Sequence, residues 1–494
     1  MVLALALRMW GLLGPLPYIY HPDEPVTLGI VQTMVVDRDV NPHFFEWPSL
    51  PLYLQTAAFG GRVAVGMATG EFESADQLSL VEQQSLGNSM TEDQVSVALG
   101  RGLTALFGVG IVILAYAIAL GITRRLWVAA LAGILAGLEP LLVENARLLT
   151  NDTYPAFFAL LAIAMSLLIY RRGALWQYAA AGAAAGAAAS SKYNIALVVI
   201  VIAVAHLLRH RTSFFTERGI YIAAGTSIGV FLATSPAFVF APAEAIHGVR
   251  TIAEHYRLGH PGAEGGSLGF YLTTLRASAG WLLLMVPLAF VPIRQRAEAL
   301  ILLVYPVVHL LFAARYAVRF TGTSLPAITP LLILVALGAF GVWYLADRFA
   351  PARPGVRIAV LSAVAAFVIA AGWGPVQLTL SNGRAAQIDQ RLEARRWLEE
   401  NVEDGAAVGV ESYAPWVDAT RLDVDSVVFL LRSGLPADPS LDHLVFTSTG
   451  SGRFLIAPDL YPKEVGRYGA LLEDWCEVAS FGGLQDVTVF SRSC

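Results

Sequence analysis

Long apolar runs separated by short polar turns fill most of the chain, and the pattern changes near residue 385. A helix needs ~20 mostly apolar residues to cross a bilayer, somewhat fewer where protein covers its ends. By that measure spans are expected near 1–20, 98–122, 126–143, 153–170, 175–190, 194–209, 219–240, 276–293, 297–314, 323–345 and 357–375, eleven in all. After about 385, "DQRLEARRWLEENV" (Asp389 to Val402) sets apolar residues at helical spacing among charges. "DGAAVGVES", "DHLVFTSTG" and "DVTVFSRS" then read as turn-led strands. The expected architecture is a polytopic α-helical membrane protein of about eleven transmembrane helices, residues 1–380, followed by a soluble α/β domain, residues 381–494. No internal repeat is visible, and the Ala/Gly-rich run "YAAAGAAAGAAASS" suits close helix packing.

Positive charge stays on the cytoplasmic side of short loops. Arg124 with Arg125, Arg171 with Arg172, Arg209/Arg211/Arg218, Arg294/Arg296 and Arg348/Arg353/Arg357 fall in alternate loops, which are therefore assigned inside. The same alternation puts loops 21–97 and 241–275, the turns near 144–152, 190–194 and 315–319, and everything after about 376 on the outer face. The expected location is the plasma membrane, multi-pass, with the C-terminal domain extracytoplasmic.

Composition sharpens this picture. The chain is 56% hydrophobic and only 14% charged, against roughly 25% charged in soluble domains, and its mean hydropathy is +0.59. A net charge of -5 and the lack of any Lys/Arg block leave no nucleic-acid footprint. The first run carries Arg8 and leads into "HPDEP" rather than a small-residue cleavage site, so it reads as a retained span, and its short uncharged start suggests a natural N-terminus upstream. Two cysteines, Cys476 and Cys494, could pair if their end lies outside the cytoplasm.

Candidate chemistry collects on the outer face. In "HPDEP", Pro22 and Pro25 bracket Asp23 and Glu24, so the span stops and a new helix can start with Asp23 as its N-cap. Asp152, in "ENARLLTNDTYPAFF", repeats the setting, and either Asn151 or Asp152 can cap the next span. Capping alone would explain each acid. Two outward carboxylates at span boundaries could also converge, one taking a proton from an acceptor hydroxyl, or both sharing a divalent cation. Arg315 and Arg319, four apart on one face of a helix at the outer boundary, suit bidentate phosphate binding, and Arg147 and Lys192 are further outer cations. Snorkelling to the interface is the plainer account of any one of them. His43 and Glu46 sit in "NPHFFEWPSLPLYL" before an amphipathic stretch that could lie along the interface, while Trp47 and Tyr53 also fit an aromatic belt. "HPGAEGGSLGF" (His260 to Phe270) is a candidate lid or a plain solvated loop.

These residues resemble the phospholipid-carrier-dependent glycosyltransferases of the GT-C class, the protein O-mannosyltransferase and aminoarabinose-transferase group. The likeness runs through "LRMWGLLGPLPYIYHPDEP", "NPHFFEWPSLPLYL", "ARLLTNDTYPAFFALLAIA", "SSKYN" and "RYAVRFTGTSLPAITPLLIL". It implies a GT-C-like fold and catalytic roles for Asp23 and Asp152. It also implies substrate contacts by Glu24, His43, Glu46, Arg147, Lys192, Tyr193, Arg315 and Arg319. Where the aminoarabinose branch carries Glu-Lys-Pro-Pro, this chain reads Glu46-Trp47-Pro48-Ser49, which sets an aminoarabinose donor and lipid A acceptor in doubt. The implied reaction moves one sugar, with inversion, from a polyprenyl-phosphate donor to a glycan, lipid or protein acceptor at the outer leaflet, among membrane lipids and without nucleic acid. No cofactor is certain. A divalent metal ion stays open, since Asp23, Asp152 and His43 would form an incomplete site only if the fold brings them together. A transporter or lipid flippase with an outer sensor domain is the alternative. It would place ionisable groups near mid-bilayer and break helices in two corresponding halves; the charges crowd at one face instead.

Overall fold

The computed structural model describes residues 1–77, 80–264, 267–351, 353–387, 389–427, 440–483 and 486–493. The chain divides into two compact units, residues 1–10, 40–57 and 101–382 in the first and 11–39, 58–100 and 383–494 in the second.

The first unit is helical. Among the described residues seven helical stretches are long and apolar enough to cross a membrane, beginning with Gln94–Thr123 and Thr153–Arg171, against the eleven spans expected. Shorter apolar helices run Leu126–Leu138 and Arg218–Thr234. The difference lies in local breaks that hydropathy does not register. The run 1–20 is helical only over Val2–Met9. The run 126–143 breaks at Glu139 because Pro140 has no N–H to continue the ladder. It opens a second helix, Pro140–Asn145, whose cap is the Glu139 carboxylate, accepting from Leu142 N at 2.6 Å.

The helix Leu325–Phe349 is the axis of this unit, buried throughout Leu325–Gly341, and it packs against Thr153–Arg171, Arg296–Ala313, Leu126–Leu138 and the 3-10 segment Gly280–Phe290. Small residues set the other close approach. The Ala/Gly-rich run forms the helix Leu175–Ala189, and a methyl at Gly182 or Gly186 would strike the Ala223 or Ser227 carbonyl of Arg218–Thr234. Buried charges are paired or bonded: Arg171 Nη2 lies 3.0 Å from Glu298 Oε1. Arg8, fully buried, donates to Ala4 O (3.0 Å), Gly137 O (3.3 Å) and Ala136 O (3.4 Å). It thereby covers carbonyls at the end of Leu126–Leu138 that no helix turn can satisfy.

Among its described residues the second unit carries eight strands: β1 Tyr18–Ile19, β2 Glu82–Ser85, β3 Asn88–Met90, β4 Ala407–Glu411, β5 Asp423–Val427, β6 His443–Thr447, β7 Cys476–Phe481 and β8 Val487–Ser491. The first three make an antiparallel sheet in the order β1-β3-β2, and the rest a sheet in the order β5-β4-β6-β8-β7. In that larger sheet β5, β4 and β6 run parallel, and β8 lies antiparallel between β6 and β7. Period-2 alternation divides its faces. Val408, Val410, Val445, Val487 and Val489 pack with Ala394 and Leu398 of the helix Gln390–Asn401, and Leu444 and Phe446 pack with Phe454, Tyr468 and Trp475. Cys476 opens β7, and Cys494 lies outside the described residues.

Glu411, at the end of β4, is fully buried. Its Oε2 accepts from Thr447 N (3.1 Å) and Ser451 N (3.0 Å), and its Oε1 from the Tyr468 hydroxyl (2.7 Å). Burial pushes its carboxyl from 4.5 up to about 6, with these hydrogen bonds pulling the other way. Because the folded value lies above the unfolded one, the charged form is the costly one. Its contribution to stability is fullest below about pH 4.5, is lost as pH rises to 6, and is flat above. Glu411→Gln removes this dependence. The variant is therefore expected to gain on wild type by about 2 kcal/mol between pH 4.5 and 7, the worth of the rise from 4.5 to about 6. Thermal unfolding of the full chain in lipid at both pH values measures this, and a pH-independent difference would contradict it.

Candidate active site

The most closely defined group lies in the first unit. The helix Thr153–Arg171 starts at Asp152, but the Asp152 side chain makes no capping bond. Instead Lys192 Nζ donates to its Oδ1 at 2.5 Å. Lys192 follows the helix Leu175–Ala189 in extended backbone, φ -158° and ψ 120°, which turns its side chain away from the helix axis toward Asp152. The side chains are 18% and 20% exposed, so their attraction is screened less than that of a surface pair. Gly322 forms a wall: a Cβ there would lie 2.5 Å from Asp152 Oδ2.

Around the pair are groups that hydropathy and charge alone do not single out. Tyr271 and Tyr316 lie within the field of the Lys192 charge. Burial pushes the Tyr316 phenol up to about 12, with Tyr256 adding to the rise and Lys192 and Asn194 opposing it. His309 Nε2 donates to the Thr323 carbonyl at 2.7 Å, tying the helix Arg296–Ala313 to the turn that carries Gly322. Asn194 and Gly322 stand inside motifs that were noticed for other residues, "SSKYN" and "RFTGTSLP". Tyr316 stands in the same late motif, between Arg315 and Arg319, while Tyr271 carries no such signal.

The other expected residues of this unit scatter. Arg147 is buried and gives both Nε and Nη2 to Leu7 O, at 3.2 and 3.1 Å; burial holds its guanidinium below the usual value. Tyr193 donates its hydroxyl to Phe45 O at 3.0 Å, beside Glu46, which is half-buried in irregular chain. His43 sits at φ +48°, with its Nδ1 3.7 Å from Glu244 Oε2 in an exposed pair. Arg315 and Arg319 do not share a helix face as expected, because the helix Arg296–Ala313 ends before them and residues 316–320 run without helix. Arg315 is exposed, and the Arg319 guanidinium lies 5.5 Å from the Phe270 ring centroid. That segment instead meets the loop before it: Ala317 N donates to Tyr256 O (2.9 Å), Arg319 N to Ala263 O (3.0 Å), and Val318 bridges Glu264. In the described part of "HPGAEGGSLGF", Ala263 and Glu264 thus pair through the backbone with Arg319 and Val318.

Asp23 and Glu24 belong to the second unit. The helix Asp23–Val36 starts there, with Pro22 and not Asp23 at the N-cap. Both acids therefore fall in the first turn, where the helix dipole favours negative charge. Glu24 is fully buried and Asp23 half-buried. The Asp23 amide donates to His21 Nδ1 at 3.3 Å and the Asp23 carbonyl accepts from Thr27 Oγ1 at 3.1 Å. Asp23 is thus a first-turn carboxylate with part of its surface open. Among the described residues no three His, Cys, Asp or Glu side chains gather closely enough to hold a metal ion.

A family model described as dolichyl-phosphate-mannose-protein mannosyltransferase matches residues 78–250. No curated protein matches by sequence. ArnT from Cupriavidus metallidurans bound to undecaprenyl phosphate superposes with a TM-score of 0.53 at 17% identity, over 99% of this chain and 97% of that one. Archaeal oligosaccharyltransferase AglB from Archaeoglobus fulgidus, in complex with an inhibitory peptide and a dolichol-phosphate, gives a TM-score of 0.54 at 13% identity, over 94% and 71%. With its apolar helices, this makes the chain a multi-pass membrane protein. It resembles the GT-C glycosyltransferases of the protein O-mannosyltransferase and ArnT type, in fold across nearly its whole length and in sequence over residues 78–250.

Proposed function

We propose that this chain is an inverting glycosyltransferase that moves one hexosyl or pentosyl unit from a polyprenyl-phosphate-linked donor to a glycan, lipid or protein acceptor at the outer face of the plasma membrane. In this reading residues 1–380 form the transferase part, with outer loops 21–97 and 241–275, and residues 381–494 are extracytoplasmic. The observation that carries it is the Asp152–Lys192 pair, a short ion pair at a helix start, in a chain of GT-C fold that also carries Asp23 and Glu24 in the first turn of a helix. The lipid phosphates bound to ArnT and AglB support the donor class. The transport alternative is not favoured, because both the family match and the fold belong with glycosyltransferases.

The chemistry follows from the charges. Asp23 takes the proton of the acceptor hydroxyl as the new bond from that oxygen to the anomeric carbon forms. The bond from the same carbon to the phosphate oxygen breaks, and its electron pair leaves on the polyprenyl phosphate. Attack opposite the leaving group inverts the anomeric carbon. The leaving phosphate gains charge as it departs, and a fixed cation there stabilises the charge where it develops. Lys192, oriented by Asp152, is that cation in this reading, with Arg315, Arg319 and Arg147 as further phosphate contacts. Glu24, His43, Glu46 and Tyr193 are assigned to substrate binding and loop order.

Purified protein in lipid, given radiolabelled polyprenyl-phosphate sugars and its own cell-envelope extract, tests this directly. Wild type is expected to consume one donor. Asp23→Asn, still folded, is expected to lose ~100-fold or more, the scale of general-base catalysis, and Asp152→Asn, which removes the charge that orients Lys192, ~100-fold as well; turnover at the wild-type rate would reduce both acids to structural roles. Gly322→Ala crowds Asp152 Oδ2. It is expected to slow transfer about tenfold, ~1.4 kcal/mol in the barrier, with little change in Tm. An unchanged rate would show that the Asp152 position does not matter.

A further inference from the structure

The segment that leads into Asp23 is gripped by two arginines that none of the chemistry above uses. β1 ends at Ile19, and only Tyr20, His21 and Pro22 separate it from Asp23. The Arg391 guanidinium lies 4.1 Å from the Tyr20 ring centroid, and the Arg395 guanidinium 4.3 Å from that of Tyr18. The spacing has a simple origin. Residues i and i+2 of a strand share a face about 6.6 Å apart, and residues i and i+4 of a helix stand about 6 Å apart. The Tyr18 and Tyr20 rings are 6.2 Å apart and nearly parallel, at 20°, so two rungs of one helix, Gln390–Asn401, meet two rungs of one extended segment.

Arg391 is itself held from behind. Its Nε and Nη2 donate to the two carboxylate oxygens of Asp389 at 2.8 and 2.7 Å, a bidentate fork that fixes the guanidinium plane. Its Nη1 reaches Tyr20 O (3.4 Å) and Tyr413 O (3.5 Å), and the residue is 6% exposed. Asp389 also caps that helix, accepting from Arg391 N at 3.0 Å. The other side of β1 is equally tied: Tyr18 and Ile19 pair with Met90 and Ser89 of β3, and Thr91 N donates to Pro17 O at 2.9 Å. The β2–β3 hairpin is in turn bolted to the larger sheet. Tyr413 N donates to Leu86 O (2.7 Å), Asn88 Nδ2 to Pro415 O (2.9 Å), and Gln84 exchanges bonds with Val417 at 2.8 and 3.1 Å. The Tyr413 ring fills the space that a side chain on Gly87 would need.

We propose that the helix Gln390–Asn401 is a positioning clamp for the acidic turn, with Arg391 on Tyr20 and Arg395 on Tyr18 setting where the Asp23–Glu24 helix begins. This gives the C-terminal segment a role in the reaction without contact with substrate. Arg391 is a positioning residue, acting through Tyr20, and the inference rests on Asp23 being the base. A base displaced by about 1 Å can lose ~10²-fold in rate while binding is unaffected.

The test is steady-state transfer by the full chain in lipid, with hydrogen exchange as a second readout. Arg391→Met is expected to lower kcat ~10-fold or more, with KM for the lipid donor within about twofold, and to speed exchange at the amides of residues 21–27 but not at those of β4. Arg391→Lys, which keeps a cation over Tyr20 without the fork, is expected to recover part of kcat. Tyr20→Leu is expected to match Arg391→Met, and the double variant to be no slower than either alone, since both remove one interaction. If Arg391→Met does not fold, Arg391→Lys and Tyr20→Leu decide the matter by the same split between kcat and KM. Wild-type kcat in these variants, with Asp23→Asn inactive, would overturn the clamp and leave the transferase reading standing. An active Asp23→Asn would overturn the base assignment and the clamp with it.

Discussion

A charge removed from water needs a partner, and in this sparsely charged chain that constraint organises the structure. Leaving an ammonium or carboxylate unpaired in an apolar bundle costs several kcal/mol, so each burial fixes two groups at once. Asp152 and Lys192, 2.5 Å apart, tie the start of one helix to the end of another. Arg8 spends its protons on carbonyls at a helix end, and Arg171 on Glu298. The pairing that makes a helix bundle tolerable in lipid also sets a cation and a carboxylate beside the turn that carries Gly322.

The apolar runs were legible in the sequence because burial in lipid demands continuous hydrophobicity. The breaks within them were less so. Glu139-Pro140 divides a run that hydropathy reads as one span, although the proline is a local signal that could have been weighed. The same holds at "HPDEP", where bracketing prolines announced a helix start but misassigned the cap: Pro22 holds that place, and the acids moved into the first turn. Arg315 and Arg319 were read by helical spacing, whereas their segment is extended and pairs with a distant loop.

What the sequence could not reveal is partnership across the chain. Asp152 looked like a cap, because nothing near it announces a lysine 40 residues later as its partner. Arg391 sat in an ordinary amphipathic pattern, and its partner Tyr20 lies 371 residues earlier. The alternation in β4, β6 and β8 was visible. The parallel order of β5, β4 and β6, and the hairpin that joins the acidic segment to that sheet, depend on tertiary pairing. The candidate residues were thus legible as residue types on loops, whereas Gly322 beside Asp152 in the first unit and, separately, Arg391 against Tyr20 in the second were not.

The central claim is direct displacement of a lipid phosphate at the anomeric carbon by an acceptor oxygen. The anomeric configuration of the product, determined by NMR after complete transfer from a polyprenyl-phosphate sugar of known configuration, tests it most directly. Single displacement gives a glycoside of opposite configuration to the donor. A product of retained configuration would require a second displacement or a front-face route, and would contradict the account of Asp23 as a base acting on the acceptor.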